Sequence, residues 1–154
     1  MGENLLVRQI KREELDALLA LYKHLHRKDA PLPERSALDA LWATMMADPR
    51  FHCFVGELGH RIISSYTLVV IPNLTRGARP YGLIENVVTD ADHRNRGFGT
   101  ALVRRALREA WDENCYKVML LTVSKEDSVL RFYEDAGFQR GLKTGFVAYP
   151  PREA

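Results

Sequence analysis

A short loop rich in glycine and arginine stands between a predicted strand and a predicted helix near the middle of the chain. Its residues are Arg94, Asn95, Arg96, Gly97, Phe98, Gly99 and Thr100. Glycines let a ligand approach the backbone, arginines add positive charge, and the first turn of a helix presents unpaired N–H groups at the positive end of its dipole. The loop therefore predicts a binding site for a phosphate or pyrophosphate, which a side chain at Gly97 or Gly99 would obstruct.

A carboxylate lies in the strand that leads into this loop. Glu85 stands within an otherwise apolar segment, residues 81–89. Because burying an unpaired charge is costly, its side chain is expected to face a cleft rather than the core. There it can take a proton from an ammonium group through a water molecule. A structural salt bridge with a neighbouring arginine is the alternative.

Two common phosphate-binding loops do not fit this segment. A Walker A loop has Lys followed by Ser or Thr after its second glycine, and a Rossmann fingerprint has a third glycine where this chain has Leu102. A nucleotide-binding module of either kind is therefore disfavoured. The spacing that remains is Arg94-x-x-Gly97-x-Gly99.

Together with the preceding strand and the later segment Phe-Tyr-Glu-Asp-Ala-Gly-Phe at residues 132–138, this spacing resembles the acetyl-CoA signature of the GNAT N-acetyltransferase superfamily. The resemblance covers residues 81–138. It implies acetyl-CoA as cosubstrate, with its pyrophosphate on the loop. It also implies a mixed sheet whose fourth and fifth strands splay apart to admit the pantetheine arm.

The resemblance also assigns roles to individual residues. The backbone of Asn86, Val87 and Val88 would contact the pantetheine amides and the acetyl carbonyl, with an N–H of Val87 or Val88 as the oxyanion donor. Tyr133 stands where the family has the tyrosine that protonates the departing thiolate. Ser128, or Ser124, would supply a polar contact to CoA in place of an asparagine that the family often has there.

Within the superfamily, residues 82–88 and 114–120 look most like the glucosamine-6-phosphate N-acetyltransferase branch. Two positions depart from it: Asn86 and Thr122 stand where acidic residues are expected. An amino-sugar phosphate is thus one candidate among several acceptors. Amino acids, polyamines, drugs and protein N-termini stay open. A homodimer is expected from the resemblance alone.

Length and charge set the broad class of the protein. The 154 residues suit one domain, 1–154, and the net charge of +2 does not indicate nucleic acid as the main partner. The sequence contains no apolar run of membrane-spanning length and does not begin like a secretory signal, so we expect a cytoplasmic protein without membrane contact. Cys53 and Cys115 lie far apart, and the five histidines form no i,i+4 pair, so no metal site is expected.

Hydrophobic periodicity predicts an α/β (α+β) order of elements. The predicted strands are 5–10, 51–57, 61–71, 81–89, 118–123 and 138–149, the last as one strand or two. The predicted helices are 13–26, 35–47, one from the loop to about 113, and 127–136. With the resemblance, this order implies a single GNAT-type domain with a mixed, mostly antiparallel sheet of six to seven strands, flanked by about four helices.

The sequence therefore predicts a transferase: an acetyl-CoA-dependent N-acetyltransferase that moves acetyl directly to a primary amine of a small molecule, without a covalent enzyme intermediate. The alternative from another class is a CoA-binding sensor or structural domain that keeps the loop but has no turnover. Substitution of Tyr133 or Glu85 would separate the two, because only the enzyme depends on those side chains for a rate.

Overall fold

The structure, a computed structural model, describes residues 4–26 and 28–151. Its centre is a five-stranded sheet in which each strand neighbours the next along the chain. The first four strands are antiparallel to their neighbours and the fifth is parallel to the fourth. The strands are β1 (Leu6–Gln9), β2 (Phe51–Leu58), β3 (Arg61–Ile71), β4 (Tyr81–Thr89) and β5 (Val118–Met119).

Helices cover both faces of this sheet. They are α1 (Leu15–Tyr22), α2 (Arg35–Ala47), the single turn α3 (Thr75–Ala78), α4 (Phe98–Asp112) and α5 (Asp127–Ala136), with short 3-10 turns at Arg12–Glu14 and Ala91–His93. Five helices thus replace the predicted four, because α3 forms inside the segment that was predicted to be a loop.

Alternate residues of β2 supply the two halves of the core, because successive strand side chains point to opposite faces. Phe54 packs in one cluster with Leu102 and Ala106 of α4. Cys53 and Val55 pack in the other with the buried residues of α1 and α2, among them Trp42. Cys53, Cys115 and Trp42 are all buried, whereas Trp111 of α4 is half exposed.

A two-residue turn joins β2 and β3 in a hairpin. Leu58 pairs with Arg61, and the two turn residues, Gly59 and His60, have φ of 53° and 65°. Positive φ at both central residues is the geometry that matches the twist of an antiparallel pair.

The end of the chain departs from the prediction of six to seven strands. Only Val118 and Met119 of the predicted strand 118–123 pair with the sheet, and residues 138–149 contain no strand. Several apolar side chains in these segments are exposed: Val123 is 97% exposed and Phe146 91%. A strand is stable only when its apolar face packs against another surface and its backbone hydrogen-bonds to a neighbouring strand. The pattern of one segment does not show whether that surface and that strand exist.

Among the described residues, no helix has both the length and the apolar character needed to cross a bilayer. In that same part of the chain, no group of three or more His, Cys, Asp or Glu side chains is arranged to hold a metal ion.

Candidate functional site

The middle of β4 contains a bulge. Thr67 of β3 pairs with Glu85 and Ser65 pairs with Val88, so that Asn86 and Val87 together face the single residue Tyr66. Asn86 has φ of 54°, a left-handed conformation that asparagine adopts more readily than most residues. A bulge interrupts the ladder of hydrogen bonds and re-aims the backbone. The predicted contact residues Asn86, Val87 and Val88 therefore lie where β4 is irregular.

The sheet also opens beside this bulge. Paired residues between β4 and β5 are Gly82 with Val118 and Leu83 with Met119, whereas β4 continues to Thr89. The second half of β4, from Ile84 onward, thus runs past the point where its pairing with β5 ends. This opening matches the expected parting of the fourth and fifth strands.

Tyr133 and Glu85 come together near this opening. Tyr133 is on α5, where its ring makes edge contacts with Phe132 and Phe138 at centroid distances of 4.8 Å and 6.2 Å. Burial raises the pKa of the Tyr133 phenol, and the nearby Glu85 carboxylate raises it further. The phenol is therefore neutral and protonated at physiological pH, as a proton donor must be. Glu85 itself is exposed, as expected for a side chain turned away from the core.

The glycine–arginine loop ends at the first turn of α4. Gly97 is the N-cap residue, with φ of 78°, and the first turn receives no side-chain cap from the described residues. The N–H groups of Phe98, Gly99 and Thr100 occupy the positions that have no intrahelical acceptor. A Cβ built on Gly97 would have no other protein atom within 4 Å, so the space in front of this helix end is open to a ligand.

Gly99 has a different neighbour. A Cβ at this position would lie 3.1 Å from the Phe132 ring of α5 and 3.5 Å from the Thr89 hydroxyl. The sequence prediction treated both glycines as ligand-facing. The structure separates them: Gly97 borders open space, and Gly99 lets α5 approach α4 closely.

Gly99→Val is accordingly expected to lower the free energy of unfolding by about 1–3 kcal/mol, because added methyl groups must displace the Phe132 ring from a packed contact. The measurement is urea unfolding of the variant. Phe132→Leu in the same chain should recover part of the loss. If the double variant is no more stable than Gly99→Val alone, the packing explanation is wrong.

The two arginines of the loop contact protein groups. The Arg94 guanidinium donates from Nε to the carbonyl of Thr89 at 3.1 Å and from Nη2 to the carbonyl of His24 at 3.1 Å. Arg96 lies over the Phe98 ring, with 4.9 Å between its Cζ and the ring centroid. Arg94 therefore ties the loop to β4 and to the end of α1, in addition to the positive charge it carries.

Ser128 is exposed in the first turn of α5, and Asn95 has a left-handed φ of 59° in the loop.

Sequence reasoning did not single out Tyr22, the last residue of α1, or His24, which lies two residues beyond it. Tyr22 is half-buried. Burial raises the pKa of its phenol, and a hydrogen bond with the Asn86 side chain lowers that pKa by a smaller amount. Both residues continue an ordinary amphipathic helix, so the sequence holds no signal that would mark them.

Neither cysteine has the properties of a nucleophile. Burial raises the pKa of the Cys53 thiol to about 11, and burial also raises the pKa of Cys115. Thiols of this kind stay protonated and unreactive at neutral pH. This agrees with direct transfer rather than with a covalent enzyme intermediate.

Comparisons with known proteins agree with this geometry. The model of the acetyltransferase (GNAT) family matches residues 15–138. A glucosamine 6-phosphate N-acetyltransferase of Trypanosoma brucei brucei is 32% identical over 139 residues, which cover 86% of this chain and 88% of that protein. A solved structure from Agrobacterium tumefaciens str. C58, provisionally named an acetyltransferase, has a TM-score of 0.87 and 42% identity over 94% of this chain and 99% of its own.

A CoA complex of the aminoglycoside N-acetyltransferase AAC(6')-Iy shares the fold, with a TM-score of 0.78 and 16% identity over 99% of this chain and 97% of its own. The family model spans most of the chain, and the similarity to the Trypanosoma protein extends over most of both chains. This chain therefore belongs to the acetyltransferase (GNAT) family and is an acyltransferase.

Proposed function

We propose that the protein binds acetyl-CoA across the opening between β4 and β5 and transfers the acetyl group to a primary amine of a small molecule. The pyrophosphate would sit at the N-terminus of α4, in the open space before Gly97, and the acetyl carbonyl at the bulge of β4. The observation that carries this proposal is the placement of Tyr133 and Glu85 beside that bulge.

The chemistry follows from these positions. The amine nitrogen forms a bond to the acetyl carbon, and the carbon–sulfur bond then breaks. Glu85 first accepts the ammonium proton through a water molecule, and an N–H of Val87 or Val88 donates to the oxyanion that forms on attack. Tyr133 gives its proton to the thiolate, and the second proton of the attacking nitrogen leaves through water and restores the Tyr133 phenol as the amide forms. The raised pKa of Tyr133 keeps this proton in place until a basic thiolate forms next to it.

An amino-sugar phosphate is the first acceptor to test. The support for this choice is the similarity of 86% of the chain to a glucosamine 6-phosphate N-acetyltransferase. Asn86 and Thr122 weaken a complete match, since both replace acidic residues expected in that branch. Amino acids, polyamines and aminoglycosides therefore belong in the same experiment.

The experiment incubates the protein with acetyl-CoA and a panel of amines. The released CoA thiol is measured with a colorimetric thiol reagent, and the acetylated product is measured by mass spectrometry. We expect thiol release and a product of equal amount with at least one amine. If the protein binds acetyl-CoA but acetylates no amine of the panel, it is a CoA-binding domain without turnover.

We also propose that the protein is a homodimer in the cytoplasm. Residues 139–151 are all exposed in one copy, and they carry the apolar side chains Leu142, Phe146, Val147 and Tyr149. Each aromatic ring offers roughly 150–250 Å² of surface, and a stable interface needs about 800 Å² from each partner. Free rather than disulfide-bonded Cys53 and Cys115 support a reducing compartment.

In solution, size-exclusion chromatography with light scattering should give twice the mass of one chain. Phe146→Asp should shift the protein toward the monomer, because it places a charge in the apolar surface that the second copy would cover. Lys143→Asp, in the same exposed segment, is the control for charge alone and should leave the dimer intact. A monomeric wild-type protein would contradict the proposal.

A further inference from the structure

The end of α1 is joined to the loop that precedes α4 by two hydrogen bonds to one residue. The Nδ1 atom of His24 accepts from the backbone N–H of Ala91 at 3.3 Å. The carbonyl of His24 accepts from Nη2 of Arg94 at 3.1 Å. One residue just after the helix thus contacts both the beginning and the end of the 3-10 turn that leads into the proposed pyrophosphate site.

The residue at the last position of α1 contacts the other half of the proposed site. Tyr22 lies against Asn86, the left-handed residue of the β4 bulge. Within one turn of helix, α1 therefore touches β4 where the acetyl group is expected and touches the loop where the pyrophosphate is expected. These two contacts therefore help to align the two halves of the proposed site.

Packing holds α1 on one side only, where Leu18 and Leu21 are buried. On the other side an open cavity of about 370 Å³ lies between α1 and the start of β3; Ala17, Ala20 and His24 line it, with Arg61 and Asp90 opposite. Close packing is what usually fixes a helix against a sheet. Beside a cavity of this size, directed hydrogen bonds must contribute a larger share of the positioning.

The loop side of the contact is itself well anchored. Asp90 is only 2% exposed, accepts from the N–H of Asp92 at 2.9 Å and pairs with Arg61 at 2.8 Å. The turn after β4 is therefore fixed to β3 through Asp90, and to α1 through His24. Removal of the imidazole would leave the N–H of Ala91 without this acceptor, so that only the bond from Arg94 to the His24 carbonyl would still tie the loop to the α1 side.

We propose that His24 is a positioning residue for acetyl-CoA binding, acting through its Nδ1 lone pair on the backbone of the loop. This inference rests on the proposed function, because it concerns the same site. It predicts an effect on acetyl-CoA affinity and little effect on the chemical step, since Tyr133 and Glu85 belong to other elements.

The test compares three variants by calorimetric titration with acetyl-CoA. His24→Leu removes the acceptor and should weaken binding about three- to tenfold, the range expected for one lost hydrogen bond. His24→Asn keeps an acceptor oxygen at the place of Nδ1 and should bind within about twofold of wild type. His26→Leu makes the same change at another exposed histidine, two residues later, and should bind as wild type.

Kinetics and thermal unfolding complete the comparison. His24→Leu should raise KM for acetyl-CoA with kcat nearly unchanged, the pattern of lost binding that is equal in the ground and transition states. The melting temperature should change little, because the side chain is exposed.

Equal binding by His24→Leu and wild type would overturn the inference, and so would a failure of His24→Asn to restore binding. Absence of acetyl-CoA binding by the wild type would instead contradict the proposed function, so the two failures are distinguishable.

Discussion

Tyr133→Phe should lower kcat by about two to four orders of magnitude, the contribution of a positioned general acid. The substitution removes only the hydroxyl group that would protonate the departing thiolate. The ring contacts of Tyr133 with Phe132 and Phe138 remain, so the fold and acetyl-CoA binding should be preserved. Steady-state kinetics with the best amine of the panel and calorimetric binding of acetyl-CoA are the two measurements.

Tyr116→Phe is the matched control, because it removes the same atom from a tyrosine just before β5, where β4 and β5 are still paired. Its kcat should equal that of the wild type. If Tyr133→Phe kept a kcat within about threefold of the wild type, the loss would be too small for general acid catalysis, and another group or water would have to protonate the thiolate.

Gly97→Glu should abolish acetyl-CoA binding, with affinity reduced at least about 100-fold. The new side chain would enter the open space before α4, where its carboxylate would repel a pyrophosphate by about 1–4 kcal/mol for each pair of charges and would also occupy its volume. The readout is thermal unfolding with acetyl-CoA. At a concentration of about 100 times Kd, binding stabilises the wild type by about 2.7 kcal/mol, or about 5 to 10 °C, and the variant should show no such rise.

The control for Gly97→Glu is Gly77→Glu. Gly77 also has a positive φ, 71° against 78°, and a Cβ there would also have no other protein atom within 4 Å. The backbone strain and the added charge are therefore matched, but Gly77 lies in α3, before the start of β4. Gly77→Glu should keep the full thermal rise with acetyl-CoA. A normal rise in Gly97→Glu would place the pyrophosphate elsewhere.

The loop and the strand before it could be read from the sequence because their properties are local. Glycine at position 97 permits the left-handed φ that starts α4, and the apolar run of β4 marks a buried strand whatever its neighbours are. The hairpin turn at Gly59 and His60 is local in the same sense. The residue types at these positions therefore favour the observed local conformation.

The features that the sequence did not reveal depend on contacts between distant segments. Gly99 packs against Phe132, and Arg94 donates to the carbonyl of His24. The spacing of residues in the loop predicts neither contact. The pattern of residues 138–149 is that of a strand, but a strand forms only where a neighbouring edge accepts it. The bulge at Asn86 likewise needs the register of β3, which a single segment does not contain.

The most direct test of the account is a calorimetric titration of the purified wild-type protein with acetyl-CoA, before any amine is added. We predict saturable binding of one acetyl-CoA per chain with a dissociation constant in the micromolar range, about −8 kcal/mol. Absence of binding at millimolar acetyl-CoA would contradict it, because the loop before α4 and the opening beside β4 would then have no cosubstrate to hold.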